Sequence, residues 1–436
     1  MAEVRELQDA GRFDGSIEML REILESDPDS AEASYRLGLA LVQIGEPLQA
    51  VWPLQNAVRG ASQSEIDAGI QLASIHFGGK AAVEAARIFL ALGRYDEATS
   101  FSSLALRDPN QEYHSDAYIV AARAHTGIAR FQRARQAVDQ LATLGDPAIA
   151  ARELALVLAA QAGPAVSADA LLDSGLDFSD PANLVALEQL SADLASLNRL
   201  PEALDQIEAA IAKHPENAEL LELYGLSLMR DRRRLKPARV TLEQSLALES
   251  DRPKALAGLA TLVANDGEFA RSLELLDRAY ALDPFDGQPA YLASQFALAS
   301  GDRTDAIRRL REIVRQHPEI PDAANDLAWY LAESGQDLEL ALLLAERARE
   351  RNPTPPVLDT LGWIHLKRGD VKQAVALLEQ ALEARPRSPS IRYHLGVALL
   401  EAGDTQPARE MLESSLNLGN FAEADQAREA LAKLKP

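Results

Sequence analysis

The hydrophobic and polar positions of the chain follow a helical rhythm that is interrupted at regular intervals. Apolar residues recur at i, i+3 and i+4 over stretches of about 14 residues, a spacing that places them on one face of an α-helix. Glycines end one series of these stretches: Gly11, Gly45, Gly93, Gly267, Gly301, Gly335, Gly369 and Gly403. Prolines follow a second series: Pro28, Pro109, Pro215, Pro284, Pro318, Pro353 and Pro386. The pattern predicts pairs of helices joined by short turns.

The helix pairs repeat, since from Gly267 onward the glycines lie 34 residues apart four times in succession. Each repeat carries a small residue at the eighth position of its first helix, where we expect the two helices of a pair to approach closely. These residues are Gly38, Ala86, Ala122, Gly225, Ala260, Ala328, Gly362 and Gly396. One such pair cannot bury its apolar face, whereas stacked pairs share a continuous core. We therefore predict an all-α solenoid.

Three segments carry a family resemblance most clearly. They read AANDLAWYLAESG (323–335), LDTLGWIHLKRGDVKQAVALLEQALEARP (358–386) and RYHLGVALLEAGDTQPARE (392–410). The pattern resembles the tetratricopeptide repeat family, and the resemblance extends over nearly the whole chain. It implies a right-handed superhelical α-solenoid of helix-turn-helix repeats. The same segments also resemble bacterial tetratricopeptide proteins of envelope, exopolysaccharide or exosortase-type export systems.

The regularity of the repeats varies along the chain and predicts its organisation. The expected segments are N-terminal repeats with a half repeat (1–58), an extra helix (59–78), repeats that are degenerate at 146–180 (79–183), a regular array (184–420) and a capping helix (421–436).

Composition and charge narrow the classes of function. The 436 residues are 47% hydrophobic and only 5% aromatic, include no cysteine, and carry 44 basic against 66 acidic side chains, for a net charge of −22. The lack of cysteine excludes disulfides, thiolate metal sites and a cysteine nucleophile. The acidity argues against nucleic-acid binding, and no apolar run is long enough to predict a membrane span. Without a signal-peptide pattern at the start, an envelope or periplasmic location and a cytoplasmic one both stay open.

Catalytic templates find no match in the chain. There is no phosphate-binding glycine motif, no paired-histidine zinc motif and no serine-nucleophile elbow. We therefore expect no enzyme activity, no cofactor and no metal. One basic segment, Arg230–Lys236, lies in a turn between two helices. It is either a solvated loop or a docking point for an acidic partner or a lipid headgroup.

The resemblance implies that the first helices line a groove, with repeat positions 2, 5, 9 and 12–13 facing it. Carried over to this chain, it assigns to the groove Gln288, Tyr291, Gln295, Asn325, Trp329, Asp359, Trp363, Tyr393 and Val397. Trp329 and Trp363 occupy the same repeat position, either to recognise a partner or to pack between adjacent first helices. The carboxylate clamp of some family members is absent, because its positions hold Asn325 and Trp329, then Pro356 and Thr360.

These features predict a non-catalytic scaffold or adaptor that binds partner proteins or peptides through the groove, in a bacterial envelope or export assembly. The alternative is a regulatory or substrate-recruiting module of an enzyme whose catalytic domain is on another chain. The partner itself is unidentified, and self-association into a homo-oligomer stays open.

Overall fold

The computed structural model describes residues 1–44, 46, 49–58, 73–91, 93–108, 111–284, 286–318, 320–335 and 337–434. These residues fall into two compact units, Met1–Ser300 and Gly301–Pro436.

The first unit contains seventeen α-helices among its described residues. They are α1 (Ala2–Asp9), α2 (Phe13–Ser26), α3 (Ala31–Gln43), α4 (49–58), α5 (Ala73–Ala91), α6 (Tyr95–Ala105), α7 (His114–Gly127), α8 (Phe131–Ala142), α9 (Pro147–Ala162), α10 (Pro164–Leu172), α11 (Leu184–Ser196), α12 (Leu200–Lys213), α13 (Ala218–Leu228), α14 (Leu235–Leu248), α15 (Pro253–Asn265), α16 (Phe269–Leu282) and α17 (Gln288–Ala299). Three short 3₁₀ helices lie between them, at Gln111–Tyr113, Pro181–Asn183 and Arg232–Arg234.

The second unit contains eight α-helices among its described residues. They are α18 (Arg303–Gln316), α19 (Pro321–Ser334), α20 (Leu338–Arg351), α21 (Pro355–Arg368), α22 (Val371–Ala384), α23 (Pro389–Ala402), α24 (Thr405–Asn417) and α25 (Ala424–Lys433).

Consecutive helices pack as hairpins within each unit. In the first unit α13 packs on α14 and α15 on α16, and in the second α21 packs on α22 and α23 on α24. First helices also contact one another, as α19 contacts α21 and α21 contacts α23. The described residues contain no β-strand. The prediction of an all-α solenoid of helix-turn-helix repeats is therefore confirmed.

The predicted extra helix over 59–78 falls largely outside the described residues. Its last six residues, 73–78, belong to α5 and continue without a break through residue 91. The residues at 146–180 form the hairpin of α9 and α10, whose helices are separated by Gly163 alone. At the C-terminus, α25 buries Ala424 and Ala427 and packs against α24.

Most turns inside the described hairpins contain a left-handed backbone position after the first helix, although the turn between α13 and α14 contains none. Gly369 and Gly403 have φ values of 85° and 88° and end α21 and α23. This conformation costs about 1–2 kcal/mol for residues with a Cβ atom, so glycine is preferred. Two repeats place other residues there, Ala129 with φ 56° and Asn198 with φ 60°. The glycine series therefore marks most of these turns but misses those two.

The closest approach within a hairpin is between a glycine on the first helix and a leucine on the second. A Cβ atom added to Gly362 would lie 2.6 Å from Cγ of Leu378, and one on Gly396 would lie 2.8 Å from Cγ of Leu412. Both leucines are fully buried. The first helix thus leaves no room for a methyl group where the leucine packs against it.

The same approach recurs in the first unit. A Cβ atom on Gly38 would lie 2.6 Å from Leu54, and one on Gly225 would lie 2.7 Å from Leu242, and these leucines are also fully buried. The sequence prediction of close approach at the eighth position is confirmed for these hairpins.

We expect Gly362→Ala to destabilise the protein although alanine is the better helix former. Crowding a packed core costs about 1–3 kcal/mol, whereas replacing glycine by alanine in a helix gains at most about 1 kcal/mol. Gly15→Ala is a matched control, because a Cβ atom there would meet only Leu7 Cδ1 at 3.8 Å. Urea denaturation followed by circular dichroism should show a lower midpoint for Gly362→Ala and an equal or higher one for Gly15→Ala. Equal midpoints for the two variants would show that the hairpin yields at this position.

Candidate functional site

The predicted groove residues lie on first helices of both units. In the first unit Gln288 and Gln295 on α17 are exposed and Tyr291 is half-buried. In the second unit Asn325 and Trp329 lie on α19. The remaining residues of the set are Asp359 and Trp363 on α21 and Tyr393 and Val397 on α23.

The aromatic residues of the second unit form a ladder across its first helices. The rings of Trp329 and Trp363 stack with centroids 6.2 Å apart and an interplanar angle of 30°. Trp363 and Tyr393 follow with centroids 6.2 Å apart, and Tyr393 and Phe421 with centroids 6.3 Å apart. We call these four residues the aromatic ladder. Offset stacking at such distances stabilises aromatic pairs by about 0.5–1.5 kcal/mol beyond their burial.

The members of the ladder differ in how much they are exposed. Trp363 and Tyr393 are buried, with 6% and 8% of their surface exposed, whereas Trp329 is half-buried. The indole Nε1–H of Trp363 donates to Oε1 of Glu333 on α19 at 2.7 Å. Trp363 therefore packs between adjacent first helices, which is one of the two roles, packing or partner recognition, that the sequence left open for the tryptophans. Trp329 keeps an accessible face, and its groove role stays a prediction.

A buried histidine outside the predicted groove residues completes this cluster. His394 on α23 is 1% exposed, and its Nδ1 lies 2.8 Å from Oδ1 of Asp359. Its ring lies 4.6 Å from that of Trp363 and 5.2 Å from that of Trp329, centroid to centroid. The sequence signal that could have indicated this pair is its spacing. Asp359 and His394 are one repeat period plus one residue apart, so they lie at neighbouring positions of successive first helices.

The cluster contains two buried polar atoms without hydrogen-bond partners in the described part of the chain. These are Nε2 of His394 and Oδ1 of Asn325. Asn325 is 8% exposed and lies one helical turn before Trp329. Buried polar groups are nearly always hydrogen-bonded, so these two atoms are exceptions within a packed cluster.

Charge around His394 favours its protonated form. Burial alone would lower the pKa of His394, but the Asp359 carboxylate, with Glu423 and Glu333, raises that pKa above its ordinary value of 6.5. An imidazolium held between a carboxylate and aromatic faces also gains from cation–π attraction.

Stability should therefore depend on pH through His394. Because its pKa is raised in the folded chain, its contribution is fully present below pH 6.5 and is lost as the pH rises through the raised value. We expect the free energy of unfolding, from urea titrations read by tryptophan fluorescence, to fall from pH 6 to pH 8. His394→Asn should reduce this fall, and His214→Asn at an exposed position should not. An unchanged pH dependence in His394→Asn would contradict the assignment.

Two other kinds of site are absent from the described residues. No group of three or more histidine, aspartate or glutamate side chains there could hold a metal ion. None of the described helices combines the length and the apolar character needed to cross a membrane.

Comparison with known families agrees with the repeat architecture. One tetratricopeptide repeat model matches residues 365–434, and another matches residues 1–66, 190–236 and 291–356. The matched segments together cover more than half of the chain. The chain belongs to the tetratricopeptide repeat family, whose members generally mediate protein–protein interactions.

Three solved structures with similar folds align over most of their own length. The APC/C hetero-tetramer Cut9–Hcn1 matches at 13% identity and a TM-score of 0.46, covering 99% of this chain and 95% of that one. Yeast Tom70 matches at 16% identity and a TM-score of 0.41, and the alignment covers 99% of this chain and 93% of that one. A tetratricopeptide repeat protein from Parabacteroides merdae matches at 17% identity and a TM-score of 0.41, and the alignment covers 58% of this chain and 98% of that one. Similarities of this size carry no argument about function. No curated protein matches the sequence.

Proposed function

We propose that this chain is a non-catalytic scaffold that binds partner proteins or peptides through the first helices of its second unit. The observation that carries the proposal is the aromatic ladder, with the half-buried Trp329 at one end. Tryptophan side chains supply large, rigid contact areas and are enriched among the residues that dominate binding energies.

Packing alone does not account for two tryptophans at the ninth repeat position. Other repeats fill that position with smaller or polar side chains: Leu39, Arg87, Arg123, Leu156, Ala192, Leu226, Thr261, Gln295 and Val397. The same hairpin stacking is therefore achieved without an aromatic ring. The accessible surface of Trp329 supports a role in recognition.

The neighbouring polar groups suit a peptide ligand. Asn325, one helical turn before Trp329, is 8% exposed and carries a side-chain amide, and Asp359 keeps part of its carboxylate accessible. An amide that hydrogen-bonds a main chain beside an aromatic face binds an extended or helical segment without requiring one sequence.

The sequence resemblance supports a more specific proposal about the assembly in which the scaffold works. The segments around Trp329, Trp363 and Tyr393 resemble bacterial tetratricopeptide proteins of envelope, exopolysaccharide or exosortase-type export systems. We propose that the scaffold works in an assembly of that kind.

Trp329→Ala should weaken partner capture while leaving the fold intact. Truncation of a central aromatic contact costs about 2 kcal/mol or more, which is a loss of roughly 30-fold in affinity. The measurement is quantitative mass spectrometry of proteins retained by the immobilised chain from lysate of its native host, with circular dichroism and melting as checks of folding. We avoid Trp363→Ala, because removing a buried tryptophan costs about 3–5 kcal/mol of stability.

Trp52→Ala provides the control for this experiment. Trp52 is 63% exposed, lies on α4 in the first unit and is not a member of the ladder. Its removal should leave the retained proteins unchanged. If Trp329→Ala retains the same proteins as the unaltered chain, or if both variants lose them equally, the ladder is not the binding surface.

A further inference from the structure

The first unit has a cavity of about 280 Å³ on the first-helix side of α9, α11, α13 and α15. Its floor is apolar, with Val185, Leu223 and Leu226 among the lining residues. Two hydroxyl groups also line it, and Oγ of Ser191 lies 3.3 Å from Oγ of Ser227. The cavity therefore offers an apolar surface beside polar groups, the usual composition of a site that holds a side chain.

Three cations line the same cavity: Arg152, Arg230 and Lys254. Arg152 shares the buried Glu153 with Arg123, at N–O distances of 2.6 and 2.7 Å, so two guanidinium groups face one carboxylate. The Arg230 side chain, which directly follows α13, has no ion-pair partner among the described residues. Positive charge is thus in excess here, in a chain whose net charge is −22.

The basic turn continues this excess along the chain from Arg230. Arg232, Arg233, Arg234 and Lys236 are exposed, and the only acidic residue of the turn is Asp231, whose Oδ1 lies 3.3 Å from Nε of Arg233. A single carboxylate cannot compensate the surrounding cations. The turn directly follows the cavity-lining Arg230 in the sequence and continues the basic character of the chain beyond the cavity.

Lys254 is held by a carboxylate from the chain itself. Its Nζ lies 2.9 Å from Oε1 of Glu188, so α15 reaches α11 two repeats earlier. The two side chains are 61% and 32% exposed, and pairs of this kind contribute about 0–1 kcal/mol. A carboxylate from another molecule can therefore displace Glu188 at little cost.

A second cavity of about 430 Å³ adjoins the first and shares Val185, Glu188 and Lys254 with it. Its lining is acidic, including Glu219, Asp251 and Asp286. The charge therefore changes sign across the Glu188–Lys254 pair. A uniformly anionic polymer such as nucleic acid would be repelled on the acidic side, whereas a peptide can match both halves.

We propose that this surface binds an acidic segment of a partner protein. A carboxylate of the segment replaces Glu188 at Lys254 and pairs with Arg230, and an adjacent apolar side chain contacts Val185, Leu223 and Leu226. The residues that follow toward the second cavity are neutral or basic. The inference rests on the proposed scaffold function, but it concerns a surface of the first unit and a defined partner chemistry.

Binding of a short fluorescent glutamate–leucine peptide to the full chain, read by anisotropy, tests the inference; its first half alternates glutamate and leucine, and its second half is neutral glycine and serine. Lys254→Gln combined with Arg230→Gln should weaken binding about 10-fold, since the double variant removes both exposed cations that the carboxylate of the segment contacts. Glu188→Gln should tighten binding, because Lys254 is then free. Arg311→Gln, which removes an exposed cation on α18, should change nothing. Circular dichroism and melting confirm that each variant is folded.

Several outcomes would overturn the inference. They are weaker or unchanged peptide binding in Glu188→Gln, equal binding of a lysine–leucine peptide, and no peptide binding while single-stranded RNA or phosphatidylserine vesicles bind through Arg230 and Lys254. Trp329→Ala should leave the affinity for the glutamate–leucine peptide unchanged. Peptide binding can thus fail while partner capture still depends on Trp329, so failure of this inference is distinct from failure of the proposed function.

Discussion

In the hairpins that carry glycine at the eighth position of the first helix, the contact between that glycine and a leucine on the second helix determines how closely the two helices can lie. At Gly38, Gly362 and Gly396 even one added carbon would come within 2.8 Å of the leucine side chain. Interiors packed at this density lose stability when volume is added as well as when it is removed. The hairpin geometry follows from this contact, and so does the direction in which the remaining first-helix positions point.

Because the small residues set the spacing, the residues on the side of the first helices that does not face the second helices are free to vary. The second unit uses that freedom for an aromatic ladder with His394 and Asp359 behind it. The first unit uses it for charge, with Arg152, Arg230 and Lys254 beside an apolar floor. One scaffold can in this way present two chemically different surfaces, one aromatic and one basic. This is how repeat proteins of one fold acquire different partners.

Much of the architecture was predictable from the sequence, because helix periodicity and the glycine series are local signals. Gly369 and Gly403 have the backbone conformation that their place in the pattern requires. Ala129 adopts the same conformation without a sequence signal, since the surrounding turn imposes it. The pairs His394–Asp359 and Lys254–Glu188 join residues 35 and 66 positions apart. They depend on how successive repeats stack, which the pattern of a single repeat does not contain.

The close approach itself is tested most directly by a double-mutant cycle at Gly38 and Leu54. The three atoms nearest to a Cβ on Gly38 all belong to Leu54, so one substitution removes the whole obstacle. We expect Gly38→Ala to lower the free energy of unfolding in the unaltered chain and to leave it equal or raise it in the Leu54→Ala background. The coupling should exceed about 1 kcal/mol. Additive effects within about 0.5 kcal/mol would show that the two residues do not limit the approach of the helices, and would contradict this account.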